Sequence, residues 1–245
     1  MARFHGAKAR VYLGVRDASA DLLSIDISGT AETHDTTTFA SNNWREFDPG
    51  LGSWEGSFAG FWQSNSGASV TSIERQLEDI LGANTVGKSV VSVYTGDADA
   101  VGDTGYLTSD AVLAKWASPI SIGDLVKVNG TLKGNGRVGL NGVLLHVLGA
   151  DSTSSNGTSV DNSASSASGG RANLHVTAAT GTGGTIKVQH STDNSTWVDL
   201  VTFTASTAAS SQSSTVTGTV NRYLRCVSTI NVTSSLTFVA GFARF

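Results

Sequence analysis

Ser53-Trp-Glu-Gly-Ser-Phe-Ala-Gly-Phe-Trp62 is the stretch that decides the fold. Its large residues recur at even spacing: Trp54, Phe58 and Trp62 share one face, with Gly56 and Gly60 between them. Period two is the signature of a strand with one buried face. Glycines inside such a strand mark bulges or places where another backbone comes close. The same alternation appears upstream, in Val11, Leu13 and Val15 and then in Leu23, Ile25 and Ile27, with residues 17–21 as the turn between the two runs.

Downstream of that stretch one helix is predicted. Thr71-Ser-Ile-Glu74 fits a capping box, Ile73, Leu77, Ile80 and Leu81 fall on one face, and Gly82 suits the stop. Strands are then predicted over residues 88–95, 106–117, 124–132 and 137–148, the last two joined by a Gly134-Asn-Gly136 hairpin turn. Residues 1–150 thus read as one β-rich domain with a single packed helix. Residues 151–172 are almost all Ser, Thr, Asn, Ala and Gly and read as a linker or a loosely held edge segment. Residues 173–245 alternate again, without a helical pattern, and read as a small all-β sandwich.

Composition agrees. Charged residues make up 15% of the 245, below the roughly 25% usual for soluble domains, and Gly, Ser and Thr fill the gap. That mixture favours short strands and tight turns. The net charge of −4 offers no basic face for nucleic acid. Residues 1–150 carry 11 basic and 16 acidic side chains, and residues 151–245 carry 5 and 4. Cys226 is the only cysteine, which excludes a disulfide within the chain, and its alternation with Leu224 reads as a buried small hydrophobe. The first six residues have no apolar run behind their charge, which predicts no signal peptide, and no run approaches the ~18 apolar residues of a membrane span.

Three motifs invite a chemical reading. Gly134-Asn-Gly136-Arg-Val-Gly139 matches a dinucleotide loop, but a strand is predicted after it where that site needs a helix. Asp97, Asp99 and Asp103 resemble the start of a calcium loop, but Thr108 stands where a bidentate Glu belongs; a calcium site there is the open alternative to a polar loop. His190, Ser191 and Asp193 are neighbours without a nucleophile-elbow motif. No catalytic, cofactor or metal residue is assigned, and the chain is read as not an enzyme.

Asp21-Leu-Leu-Ser-Ile-Asp-Ile-Ser28, Glu32-Thr-His-Asp-Thr-Thr-Thr-Phe39, Trp44-Arg-Glu-Phe-Asp-Pro-Gly50 and the Trp54 to Trp62 strand resemble, in order and spacing, the tail tube (major tail) proteins of long-tailed bacteriophages. The later Ser109 to Trp116 and Asp124-Leu-Val-Lys-Val-Asn-Gly-Thr-Leu132 runs continue the likeness, which covers residues 8–148. Residues 186–200 and 221–227 are similar to repeated elements of phage and carbohydrate-binding sandwiches, as in accessory domains of the Ig-like or jelly-roll kind.

The resemblance implies a tail-tube β-sandwich or barrel with one helix. It also implies a virion structural protein assembled in the host cytoplasm. Subunits would form hexameric rings stacked into a tube, through which DNA passes without specific binding. Implied partners are further copies of the chain, a tape measure protein and terminator or tip proteins, with no cofactor and no membrane. Residues 32–52 are long for a turn and are expected to order against a neighbouring ring, with Trp44, Arg45, Phe47 and Asp48 as the contact. The lumen is expected to be net negative. The alternatives are a carbohydrate-binding or host-adsorption module, resting on Trp197 and Tyr223, and a ring at the tail tip; Trp197 itself reads first as core.

Overall fold

The computed structural model describes residues 6–61, 89–96 and 99–245. The helix expected over 71–82, Trp62 and Asp97 lie outside these residues. Among the described residues one helical turn, Gly6–Lys8, precedes sixteen strands. The fold is mainly β, as the alternation requires.

A first sheet layer contains β3 (Leu22–Asp35), β4 (Phe47–Phe61), β7 (Lys127–Gly134) and the second half of β6 (Thr104–Ala117), hydrogen-bonded in that order. A second layer runs from β2 (Arg16–Asp17) through β1 (Arg10–Leu13) and β5 (Ser89–Tyr94) to the first half of β6. The long β6 joins the two layers, and its register shifts between Leu113 and Lys115. Between the layers lie Trp54 and Phe58 of β4, Val11 and Leu13 of β1, Val91 and Val93 of β5, and Val128 and Leu132 of β7.

The sheet then continues. β8 (Gly139–Asp151) pairs with the start of β6, β16 (Ser235–Arg244) with β8, β11 (Gly170–Thr180) with β16, and β14 (Ser210–Val216) with β11. This third layer covers the back of the second, burying Tyr12, Tyr94, Leu107, Leu144, Val239 and Ala243. All of β5 is therefore buried, on both faces. A separate five-stranded sheet forms the fourth layer: β12 (Gly184–Ser191), β13 (Val198–Thr202), β15 (Tyr223–Ile230) and the short β9 (Ser155–Asn156) and β10 (Val160–Asp161). The largest core cluster lies between layers three and four and includes Leu145, Leu174, Phe238, Phe242, Ile186, Leu224 and Cys226. Each such aliphatic or aromatic side chain contributes ~1.5–3 kcal/mol by leaving water. Burial pushes the Cys226 thiol up to about 12, so it is the small hydrophobe its alternation predicts.

Two details differ from the sequence reading. Leu23 does not share a face with Ile25; it is 57% exposed, and Leu22 packs on the core instead. The cause is a register shift between Leu22 and Ser24, since an irregularity of one residue flips the side chains that precede it. Trp197 is not core: it is half-buried, outside all three clusters, with the Arg225 guanidinium 4.2 Å from its ring centroid. Residues 151–172 supply β9 and β10, both paired with β15.

The second and third layers meet across a polar seam. His175 of β11 is fully buried, with Nδ1 2.7 Å from the Gly14 carbonyl and Nε2 2.8 Å from Ser92 Oγ. A carbonyl only accepts, so Nδ1 carries the proton and Nε2 accepts from the Ser92 hydroxyl. Asn173 Nδ2 donates to Ser92 Oγ and to the Thr108 carbonyl.

Candidate assembly surface

Residues 32–52 are not one long loop. β3 and β4 remain paired out to Asp35 and Phe47, so the segment is a hairpin arm with an irregular tip of residues 36–46. β7 pairs only with Glu55–Phe61 of β4, so residues 47–54 pair with β3 alone. At ~3.3 Å per residue these eight residues carry the tip about 25 Å beyond the end of β7.

The arm is anchored at its base. Trp54 is buried, and its Nε1 donates to Ser109 Oγ at 3.4 Å. Its ring lies over Gly134, where an added Cβ would stand 1.6 Å from Trp54 Cε2; Phe58 likewise lies over Gly130, at 2.2 Å from such a Cβ. β7 thus offers no side chain where β4 places its aromatics.

The tip is shaped by its own polar residues. Thr36 N donates to the Glu46 carbonyl, Glu46 N to Thr37 Oγ1, Thr38 N to Ser41 Oγ and Trp44 N to the Ser41 carbonyl. Asn42 and Asn43 take the left-handed conformation, with φ of 47° and 67°, which asparagine tolerates. Hydrogen bonds from Thr37 hold the Asp35 carboxyl below its ordinary value, and Arg45 reaches Asp35 at 4.0 Å. Of the four residues singled out from sequence, Trp44 and Arg45 lie on the tip, and Phe47 and Asp48 open β4 opposite Asp35 and His34.

Among its exposed polar residues the arm also leaves large apolar side chains uncovered. Trp44 is 79% exposed, Phe39 fully so, and Phe47 and Leu51 more than half. A second such group occupies the opposite end of the same layer. The β6–β7 connection, beyond the Ala117↔Asn129 and Phe61↔Lys127 pairs, exposes Ile120, Ile122 and Leu125. Sequence reading missed that loop; three large aliphatics in the nine residues between β6 and β7 were the available signal.

The layer is open at both lateral edges among the described residues. β3 pairs only with β4. β5 reaches β6 only as far as Ala111, so residues 112–117 pair on one side, with β7. The outward face carries small polar residues in rows, such as Ser24–Ala59–Asn129 and Asp26–Ser57–Thr131. On this face Lys133 lies 3.9 Å from Glu55, and Lys115 stands in the row that ends at Asp26 three strands away.

The described residues of the other sequence motifs make structural contacts, and Asp97 of the calcium-like loop lies outside them. Gly134 to Gly139 is the β7–β8 turn, with Gly136 at φ 89°. Asp99 binds Arg10 at 3.1 Å, and Asp103 accepts from Ala100 N. Among the described residues no cluster of three His, Cys, Asp or Glu side chains can hold a metal. His190 accepts from Asn221 N while Ser191 donates to Asp193, so no relay forms between them. Among those residues, too, no helix is long and apolar enough to cross a membrane.

No protein-family model and no curated protein matches the chain. Among solved structures it is similar to a chain from the virion of a native gene transfer agent particle, at 18% identity and TM-score 0.44, covering 56% of this chain and 97% of that one. It is also similar to the SPP1 tail tube protein, at 11% identity and TM-score 0.40, over 55% and 77%. A third similarity, to the SPP1 Dit protein of the hub adsorption apparatus in phages that infect Gram-positive bacteria, spans 95% of this chain and 98% of that one at 11% identity and TM-score 0.35.

Proposed function

We propose that this chain is a structural subunit of a phage-type tail, which closes into rings and stacks those rings into a tube. The observation that carries the reading is the β3–β4 arm. An isolated two-stranded hairpin is marginal in water, and this one exposes Phe39, Trp44, Phe47 and Leu51. Such a surface is stabilised when a partner covers it.

The placement of the surfaces supports head-to-tail assembly. The arm tip and the Ile120–Ile122–Leu125 loop sit at opposite ends of one layer. Contacts between unlike ends propagate along an axis. Laterally, among the described residues β3 pairs only with β4 and β5 stops opposite Ala111 of β6, and pairing of these two edges between copies would carry the four-stranded layer on into a neighbour. Closed six-fold, that layer lines a channel with the small polar rows of its outward face. The offset charges there give passing phosphates no unpaired cationic stripe to hold them. Tape measure and terminator or tip proteins are the further partners of such a tube, and assembly takes place in the host cytoplasm. The fourth layer and the third-layer strands other than β8 lie outside the channel as an accessory unit, for which residues 173–245 are the proposed domain and the Ser- and Gly-rich residues 151–172 its linker.

The test is negative-stain microscopy of the purified chain beside Trp44→Ala and Phe47→Ala. Rings or tubes are expected for the parent, and dispersed folded subunits for the variants. Parent protein that stays monomeric at high concentration, or variants that form normal tubes, would overturn the reading.

A further inference from the structure

The outer sheet buries one face in the largest core cluster and leaves the other open. Across that open face the side chains of three strands are tied into one row. Lys187 Nζ lies 2.6 Å from Asp199 Oδ2, and Gln189 Nε2 donates to Asp199 Oδ1 at 2.7 Å. Arg225 Nε and Nη2 both donate to Gln189 Oε1, at 2.9 and 2.7 Å. The guanidinium then lies 4.2 Å from the centre of the Trp197 ring. A merely solvated sheet face leaves its long side chains loose, whereas this row spends their rotamer freedom in advance.

We propose that this face is a binding site for an acidic saccharide, in which Arg225 grips the carboxylate of a sugar unit and Trp197, Gln189 and Tyr223 set its position. Arg225 has only a neutral amide and an aromatic ring as partners, and no carboxylate pairs with it among the described residues. Partial desolvation lowers its pKa from the ordinary value. A guanidinium fork matches a carboxylate in two parallel hydrogen bonds. The row of Lys187, Asp199 and Arg225 is locally positive on a chain whose net charge is −4. Tyr223 lies two residues from Arg225 on the same face of β15. A nucleic acid is disfavoured, because one uncompensated cation gives little release of counter-ions.

Affinity electrophoresis of the full chain tests this. In gels containing polygalacturonate the protein should be retarded, and in gels containing neutral dextran it should not. The overall charge repels a polyanion, so retardation reports a local site. Arg225→Gln should weaken the effect at least about tenfold, the scale of one charge-assisted contact. Arg225→Lys should weaken it too, because the fork is lost while the charge stays. Trp197→Ala, which removes the ring that Arg225 lies over, should give a second loss. Lys127→Gln removes the same charge at the far end of the first layer and should change nothing. Circular dichroism melts establish that each variant is folded. The proposal is overturned by an unretarded parent chain, by equal retardation in dextran, by Arg225→Gln and Trp197→Ala both behaving as the parent, or by Lys127→Gln losing as much as Arg225→Gln.

Discussion

Trp54 occupies the space that a side chain at position 134 would need: an added Cβ at Gly134 would meet Trp54 Cε2 at 1.6 Å. Gly134→Ala must therefore displace a large ring that is 4% exposed and fixes the base of the arm. Overpacking of this kind costs ~1–3 kcal/mol. Thermal unfolding should show a lowered midpoint, and tryptophan emission should shift to the red as Trp54 meets water. A variant with the parent's midpoint and spectrum would show that the ring is not held against β7.

The loop at the opposite end should matter for assembly and not for folding. Ile120, Ile122 and Leu125 are exposed in the single chain, so replacing Ile120 and Ile122 with Ser should change stability by no more than ~0.5 kcal/mol. Stacking should fail nonetheless, leaving rings or small oligomers in sedimentation velocity. This separates stacking from the lateral closure proposed for the β3 and β6 edges.

The inward faces of the strands were legible in the sequence, and their stacking was not. Alternation placed Trp54 and Phe58 inside, and the Gly134–Gly136 turn was readable, because both follow from local geometry. The exposure of Leu23 depends on a register shift that period-two counting cannot see. The burial of both faces of β5 depends on β8 and β16, which return from a distant part of the chain. Trp197 was misjudged for a related reason: a lone aromatic gives no sign of which face it joins, and here Arg225, a strand away, covers it. Of the four residues proposed for the assembly contact, Trp44 and Phe47 stand in visibly polar surroundings, but the β3–β4 pairing that carries them outward depends on a register no local pattern shows.

The two halves should not separate cleanly at residue 150. β8 sends Leu144 into the cluster shared with β1 and β5, and Leu145 into the cluster shared with the outer sheet. A chain ending at residue 150 would leave β8 without its β16 partner and expose Leu145, with a loss of ~1.5–3 kcal/mol from that side chain alone. Such a fragment should bind a dye specific for apolar surface and melt below the full chain. A fragment as stable as the full chain would mean that the first two layers are self-sufficient.

His175 should make stability depend on acid. Burial lowers its pKa to about 4 from an ordinary 6.5, against the opposing effect of the Gly14 hydrogen bond. The groups around it are the Ser92 hydroxyl, the Gly14 carbonyl and the Tyr12 ring at 5.7 Å, and burial raises the Tyr12 phenol too, so among the described residues no carboxylate touches the ring to welcome a proton. The folded state keeps His175 neutral while the unfolded chain protonates near 6.5. Stability is therefore complete above pH 6.5, falls as pH drops from 6.5 towards 4, and has lost its full share below that, on the order of 3 kcal/mol. Denaturant melts between pH 7 and 4 should show this slope, and His175→Asn should flatten it. The ring protons of His175, followed by NMR, give the same answer without a variant. A midpoint near 6.5 in the folded protein would mean that the seam between β11 and β5 admits water.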